Sequence, residues 1–171
     1  MSEKLADIQY NFINLPSRIE FENGHVISYL YDADGIKLRT THIIGSDTTV
    51  TDYCGNVIYE NGIPVKLLTE AGYVTLADSK YHYFVQDHLG NNRVVVDQSG
   101  NVEEVNHYYP FGGLLSSSVS NAVQPYKYNG KELDRKNGLD WYDYGARMYD
   151  AALGRWHAVD PMSEKYYSWS P

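Results

Sequence analysis

The chain reads as all-β, an array of antiparallel β-hairpins forming a curved or spiralling sheet, and three observations carry that expectation. Seventeen Tyr stand against four Phe, so most large side chains are amphipathic and suit half-buried strand faces. Fourteen Gly punctuate short runs rich in Val, Ile and Tyr, while stretches of strong helix formers are scarce. A four-residue signal, Asp-x-x-Gly, recurs at Asp32 to Gly35, Asp52 to Gly55, Asp87 to Gly90 and Asp97 to Gly100. There Asp can accept hydrogen bonds from its own backbone and Gly can take a positive φ, which is hairpin-turn chemistry.

In chain order, Ile19 to Glu22 and His25 to Ser28 flank Asn23-Gly24, the strongest two-residue hairpin signal. Ile27 to Tyr31 leads into the first Asp-x-x-Gly turn. Asn61-Gly62 separates Asn56 to Glu60 from Ile63 to Leu68, where Pro64 predicts an edge strand or a shifted turn. Ala71-Gly72 separates Lys66 to Thr69 from Tyr73 to Leu76, and Arg93 to Val96 runs into the last Asp-x-x-Gly turn. Beyond Asn106 to Gly113, the stretch from Leu114 to Gln124 has no useful periodicity and reads as a surface loop. Tyr126 to Asp134 resumes as strand and turn. Asp160-Pro161 with Glu164 predicts at most one short helix near the C-terminus. Turns every ~8 to 12 residues also describe a compact β-sandwich, and the repeated Asp-x-x-Gly favours the array.

A net charge of −8 argues against broad affinity for nucleic acid or anionic lipid. One cysteine, Cys54, excludes an internal disulfide and a multi-Cys zinc site. No basic start with an apolar run marks a signal peptide, no stretch approaches a membrane span, and the aromatic ending Tyr166 to Pro171 reads as a fragment's end.

Catalytic constellations are thin. His82 and His88 belong to no His-Glu-x-x-His pair and read as turn or surface histidines; no metal or other cofactor is expected. Ser116, Ser117, Ser118 and Ser120 lack the Gly-x-Ser-x-Gly elbow, and Cys54 reads as a core or turn thiol. Gly112-Gly113 has no lysine or helix start in the register of a phosphate loop. Asp32 with Asp34, and Asp140 with Asp143, read as turn residues and a solvated face. Trp141, Tyr142, Tyr144, Tyr149 and Trp156 are suited either to stacking on sugars or to the packed seam of a sheet.

Several motifs, in one order, change the scale of the reading. Gln86 to Arg93, Tyr109-Pro110-Phe111-Gly112, Tyr128 to Glu132, Gly138 to Asp150, Leu153 to Trp156 and Asp160-Pro161 together resemble the repeat-associated core of the Rhs (rearrangement hotspot) family, and Tyr31 to Gly35 resembles one of its tyrosine-aspartate (YD) repeats. The signature positions are Asp87, Gly90, Arg93, Pro110, Gly112, Gly130, Gly138, Tyr144, Gly145, Arg147, Tyr149, Asp150, Gly154, Arg155 and Pro161. The resemblance begins near Ser17 and divides the chain into a lead-in at 1–16, YD-type hairpins at 17–112, a loop at 113–125 and a C-terminally truncated core at 126–171. Met162 to Lys165 after Asp-Pro is a form associated with Bacteroidetes-like members.

What the resemblance implies is a structural module of a polymorphic-toxin-like β-shell, encapsulating or presenting a C-terminal effector. Its partners would be that cargo and the neighbouring repeats, with immunity or secretion-apparatus proteins beyond them, and the full-length protein would be exported or cell-surface. Many family members cut themselves from the cargo by an aspartic-protease-like reaction; the resemblance assigns Arg147 and Asp160 to half of that site, the second aspartate lying downstream. Two carboxylates sharing a proton are what that chemistry needs, so no catalysis is expected of this chain alone. The alternative is a cell-surface glycan-binding β protein using its aromatic face.

Overall fold

In the computed structural model, which describes residues 4–116, 119–120 and 124–165, the chain forms one long meander and a small second sheet. The meander comprises β1 (Leu5–Tyr10), β2 (Pro16–Phe21), β3 (Val26–Tyr31), β4 (Lys37–Ile44), β5 (Asp47–Cys54), β6 (Val57–Glu60), β7 (Ile63–Thr69), β8 (Gly72–Thr75), β9 (Lys80–Gln86), β10 (Asn92–Asp97), β11 (Val102–Val105) and β12 (Val119–Ser120). Each strand pairs with the next in sequence, so the twelve-stranded sheet has the order of the chain itself. The four-stranded sheet follows, from β13 (Glu132–Asp134), β14 (Trp141–Asp143), β15 (Met148–Asp150) and β16 (Arg155–Trp156). Every pairing is antiparallel, as hairpin connections of a few residues require.

One loop geometry builds much of the meander. The first residue accepts a hydrogen bond from the amide three positions on and donates its own to the carbonyl four positions on. Asp32, Asp87 and Asp97 each head such a loop, and each carboxylate also accepts amides from within it. Phe21, Tyr109 and Lys127 head the same backbone pattern without an aspartate. So does Asn11, with Asn14 at φ 60 where the other loops carry glycine. The loop at Asn23-Gly24 is therefore not the two-residue turn that its dipeptide suggests: Gly24 alone takes positive φ, and the strand ends at Phe21.

Other expectations are corrected too. Asp52 does not head a turn; it lies within β5, opposite Arg39 and Tyr59, and its carboxylate takes the Arg39 guanidinium at 2.5 Å. Pro64 does not make β7 an edge, because β7 lies between β6 and β8 and the proline sits at a register shift opposite Tyr59. The expectation of at most one short helix near the C-terminus stands: the described residues hold no α-helix, only single 3-10 turns at Tyr128–Gly130, Lys136–Gly138 and Ser163–Lys165. The meander also begins before the boundary placed at residue 17, since β1 pairs with β2, and β12 lies inside the stretch read as loop. Ser117, Ser118 and the aromatic ending from residue 166 lie outside the described residues.

The core lies where the small sheet covers one face of the large one. Ile19, Phe21, Ile27 and Tyr29 of β2 and β3 pack against Leu139, Trp141 and Met148, with Ile8 and Tyr31 at the margin. Ile19 and Ile27 face each other in register and are fully buried. Alternation along β2 and β3 places these side chains on one face, and that face is what the C-terminal segment closes. Among the described residues no helix is long and apolar enough to cross a membrane.

Candidate functional site

The junction between the two sheets is ionic as well as apolar. Lys37 of β4 reaches across to Glu132 at 2.8 Å and Asp143 at 2.7 Å, with its ammonium 4.7 Å from the Tyr53 ring centre. Tyr53 donates to Glu132 at 2.7 Å. Beside it, Asp134 accepts from Tyr29 at 2.9 Å and pairs with His42 at 3.0 Å. Further along, Glu104 is fully buried, and one of its oxygens takes Lys127 at 2.5 Å, Gln124 at 2.9 Å and Asn106. These contacts fasten residues 124–143 to the face of the meander.

Burial and pairing compete at each charge. Burial alone would lower Lys37, but Glu132, Tyr53 and Asp143 together hold it well above the ordinary lysine value. Lys127 has one carboxylate partner instead of two, and burial prevails: its pKa falls. For Asp134, burial would raise the carboxyl, yet the His42 hydrogen bond and charge and the Tyr29 hydroxyl hold it below the usual carboxylate range. Glu103 is likewise lowered against burial, by His82 and Lys80.

The sign of the resulting pH dependence follows from the depressed carboxylates. Their contribution to stability is present above the unfolded carboxylate pKa, near ~4, and is lost as pH falls through the lower folded values. Urea midpoints are therefore expected to drop between pH 5 and pH 2. Asp134→Asn should be less stable at pH 6 and should lose less on acidification; equal acid slopes for the two proteins would contradict the assignment.

Arg147 and Asp160, assigned to a half-site, do meet, at 2.7 Å. The Arg147 guanidinium also lies 4.4 Å from the Trp156 ring centre, and Asp160 accepts the Met162 amide at 2.8 Å. Tyr144, Tyr149 and Trp156 pack on one another with ring centres 5.0 to 5.9 Å apart. Trp141 and Tyr142 are buried, at 3% and 1% exposure, so these two belong to the packed seam. Among the described residues no group of three or more His, Cys, Asp or Glu side chains is placed to hold a metal.

Some of the remaining signature positions gather around the loop headed by Tyr109, and others lie in neighbouring turns. Tyr142 and Tyr149 donate to the carbonyls of Gly112 and Phe111, at 2.9 and 3.0 Å, while Tyr128 donates to that of Pro110. Gly112 takes φ +89 with the Tyr128 ring where a Cβ would stand, and Gly154 lies against Phe111. Asp87, Gly90 and Arg93 sit in or beside the loop that Asn129 clasps through Leu89 and Asn91, with Gly130 against Gly90. Tyr144 donates to Asn129 at 2.6 Å. Gly145 follows Asp143, whose carboxylate caps its amide, and Asp150 caps the turn leading to Gly154 and Arg155. Gly138 ends a 3-10 turn and Pro161 precedes the last one. The ionic junction and these loop contacts are not one site: the first joins the sheets, the second join loops.

Residue-by-residue reading missed the ionic pairs of the seam. Asp143, read as part of a solvated face, is paired with Lys37; only Asp140 is exposed, paired with Arg135. His82, read as a turn or surface residue, is 5% exposed, stacked on Tyr73 and bonded to Thr75 and Glu103. A usable signal was strand parity, because Thr40 and His42 are two apart in β4 and both are buried. Cys54 is exposed at the end of β5.

The sequence profile of the family described as Teneurin YD-shell matches residues 66–169. Salivary gland surface protein 1 of Aedes aegypti is 29% identical over 194 residues, taking in 98% of this chain and 6% of its own length. Toxin subunit YenC1 of Yersinia entomophaga is 30% identical over 128 residues, 65% of this chain and 13% of its own. This chain thus spans a small part of either relative. The crystal structure of TcdB2-TccC3-TEV superposes with a TM-score of 0.75 at 18% identity, covering 91% of this chain and 9% of that one. The Photorhabdus luminescens Tc holotoxin pore does so with a TM-score of 0.74 at 20% identity, again over 91% and 9%. At such identities the likeness is one of fold.

Proposed function

Since the chain belongs to the teneurin YD-shell family, within the wider group of Rhs/YD-repeat shell proteins, we propose that it closes a β-shell around a C-terminal effector segment and performs no catalysis by itself. The structural role, a segment of shell, comes with the family. The observation that carries the finer reading is the ionic seam: a small C-terminal sheet is fastened across one face of a long meander by Lys37, Asp134 and Glu104 and their partners. Such a fastening suits a plug, which must stay in place after the chain that follows it has been enclosed. Asp160 accepts the Arg147 guanidinium at 2.7 Å, whereas aspartic-protease chemistry needs two carboxylates that share a proton.

The natural partners on this reading are the neighbouring repeats and the enclosed segment, with immunity or secretion proteins acting on the assembled shell. Export or cell-surface display of the whole protein follows from the same reading. Limited proteolysis of a longer polypeptide carrying the downstream sequence tests it. The downstream segment is expected to resist protease while the seam is intact, and to become sensitive in a Lys37→Met variant whose meander remains folded. Sensitivity in both proteins would overturn enclosure. Release of the segment by this chain in the absence of any second carboxylate would overturn the non-catalytic role.

A further inference from the structure

Asn-Gly dipeptides occur at Asn23, Asn61, Asn129 and Asn137. The pair is chemically labile, because a glycine amide nitrogen, with no Cβ beside it, can approach and attack the side-chain carbonyl carbon of the asparagine before it. The fold treats the four dipeptides differently. The amide of Gly24 donates to the Phe21 carbonyl at 2.9 Å, that of Gly130 to Lys127 at 3.2 Å and that of Gly138 to Arg135 at 3.1 Å. The side-chain amides of these asparagines are also engaged or enclosed: Asn23 Nδ2 lies 3.5 Å from Asn137 Oδ1, Asn129 Nδ2 donates to the Leu89 carbonyl at 3.0 Å, and Asn137 Nδ2 is buried. Asn61-Gly62 is the exception. Both residues are exposed in the two-residue loop between β6 and β7, with φ of 51 and 79. Among the described residues neither the Gly62 amide nor Asn61 Nδ2 has a hydrogen-bond partner, while Asn61 Oδ1 accepts the Val50 amide at 2.9 Å.

We propose that Asn61 is a site of spontaneous hydrolytic deamidation, selected from the four by the fold. Hydroxide takes the Gly62 amide proton, and the nitrogen bonds to Asn61 Cγ. Negative charge gathers on Oδ1, where the Val50 N–H already stands, as a donor to a tetrahedral oxyanion should. The Cγ–Nδ2 bond then breaks, and ammonia leaves with a proton from water, which restores the hydroxide. The product is a five-membered imide that water opens: attack at Cγ gives aspartate, and attack at the main-chain carbonyl carbon of residue 61 gives isoaspartate. Isoaspartate adds one methylene to the main chain inside a two-residue loop, so the turn no longer fits the register that sets Glu60 opposite Ile63. The Val50 amide loses its acceptor, and the β5 to β7 end of the meander loosens with age. The inference stands apart from the shell reading, since it concerns the tip of one hairpin.

The test ages this chain in mildly alkaline buffer, folded and in denaturing urea. Peptide mass spectrometry reads the amide-to-acid conversion at each Asn-Gly dipeptide, and an isoaspartyl methyltransferase labels the isoaspartate. In the folded chain Asn61 is expected to convert at least about fivefold faster than Asn23, Asn129 or Asn137, each of which must first release a glycine amide from its hydrogen bond. In urea the four rates should converge, because only the fold distinguishes them. Ageing of the folded chain should also speed hydrogen exchange at the Val50 amide. In Asn61→Gln, whose longer side chain cannot form the five-membered ring, the Val50 exchange rate should not change with age. Equal rates at Asn23 and Asn61 in the folded chain would overturn the proposal. So would the absence of conversion at Asn61, or a lead for Asn61 in urea as large as in the folded chain.

Discussion

Lys37→Met is expected to lower the unfolding free energy by about 3–5 kcal/mol, the cost of leaving buried carboxylates without their cation. The side chain of Lys37 is 10% exposed, and those of Glu132 and Asp143 are 19% and 15% exposed. Removing one ammonium therefore strands two negative charges in a site with little water. Methionine keeps the length of the stem, so lost packing contributes little. Urea denaturation followed by circular dichroism measures the change. Adding Glu132→Gln to Lys37→Met should recover part of the loss, because the pair is coupled. A midpoint equal to that of the parent would mean that the seam does not hold the two sheets together.

Gly72→Ala is expected to cost about 3 kcal/mol or more, at the upper end of what overpacking does. A Cβ at this position would stand 2.0 Å from the His82 carbonyl oxygen and 2.9 Å from its carbon. Both obstacles are backbone, so no rotamer change relieves them. The strands β8 and β9 would have to part, disturbing the pairing of Gly72 with Tyr83 and the amide of Phe84 on the Ala71 carbonyl at 2.8 Å. Tyr73, 1% exposed and stacked on His82 at 4.3 Å between ring centres, would lose its neighbour. Faster hydrogen exchange at the Phe84 amide together with a lowered thermal midpoint is the expected signature. A variant with unchanged exchange would show that the sheet accommodates the methyl group.

Turns were legible from sequence where the chemistry is local. Asp32, Asp87 and Asp97 lie next to the amides that they cap, so the motif contains its own reason. Asp52 carries the same motif and does something else, because strand pairing with Arg39 competes for it and prevails. The loop headed by Asn11 was invisible for the opposite reason: asparagine supplies both the cap and, at Asn14, the positive φ, without the aspartate or glycine that advertise them. In the candidate site, Arg147 and Asp160 were named together only through the family resemblance; the 2.7 Å pairing itself comes from the structure.

The seam was not legible in that way. Lys37 and Glu132 are far apart in sequence, and nothing local to either distinguishes a buried charge from a solvated one. The amino-acid sequence by itself determined that this protein is a run of short antiparallel strands, because alternation, aspartate caps and glycine φ act within a few residues. Only the tertiary structure decided which face of the sheet is inside, which charges are buried there and what fastens the C-terminal sheet over it. Those outcomes depend on the register of one sheet against another, and burial makes a charge demand a partner that no neighbouring residue can supply.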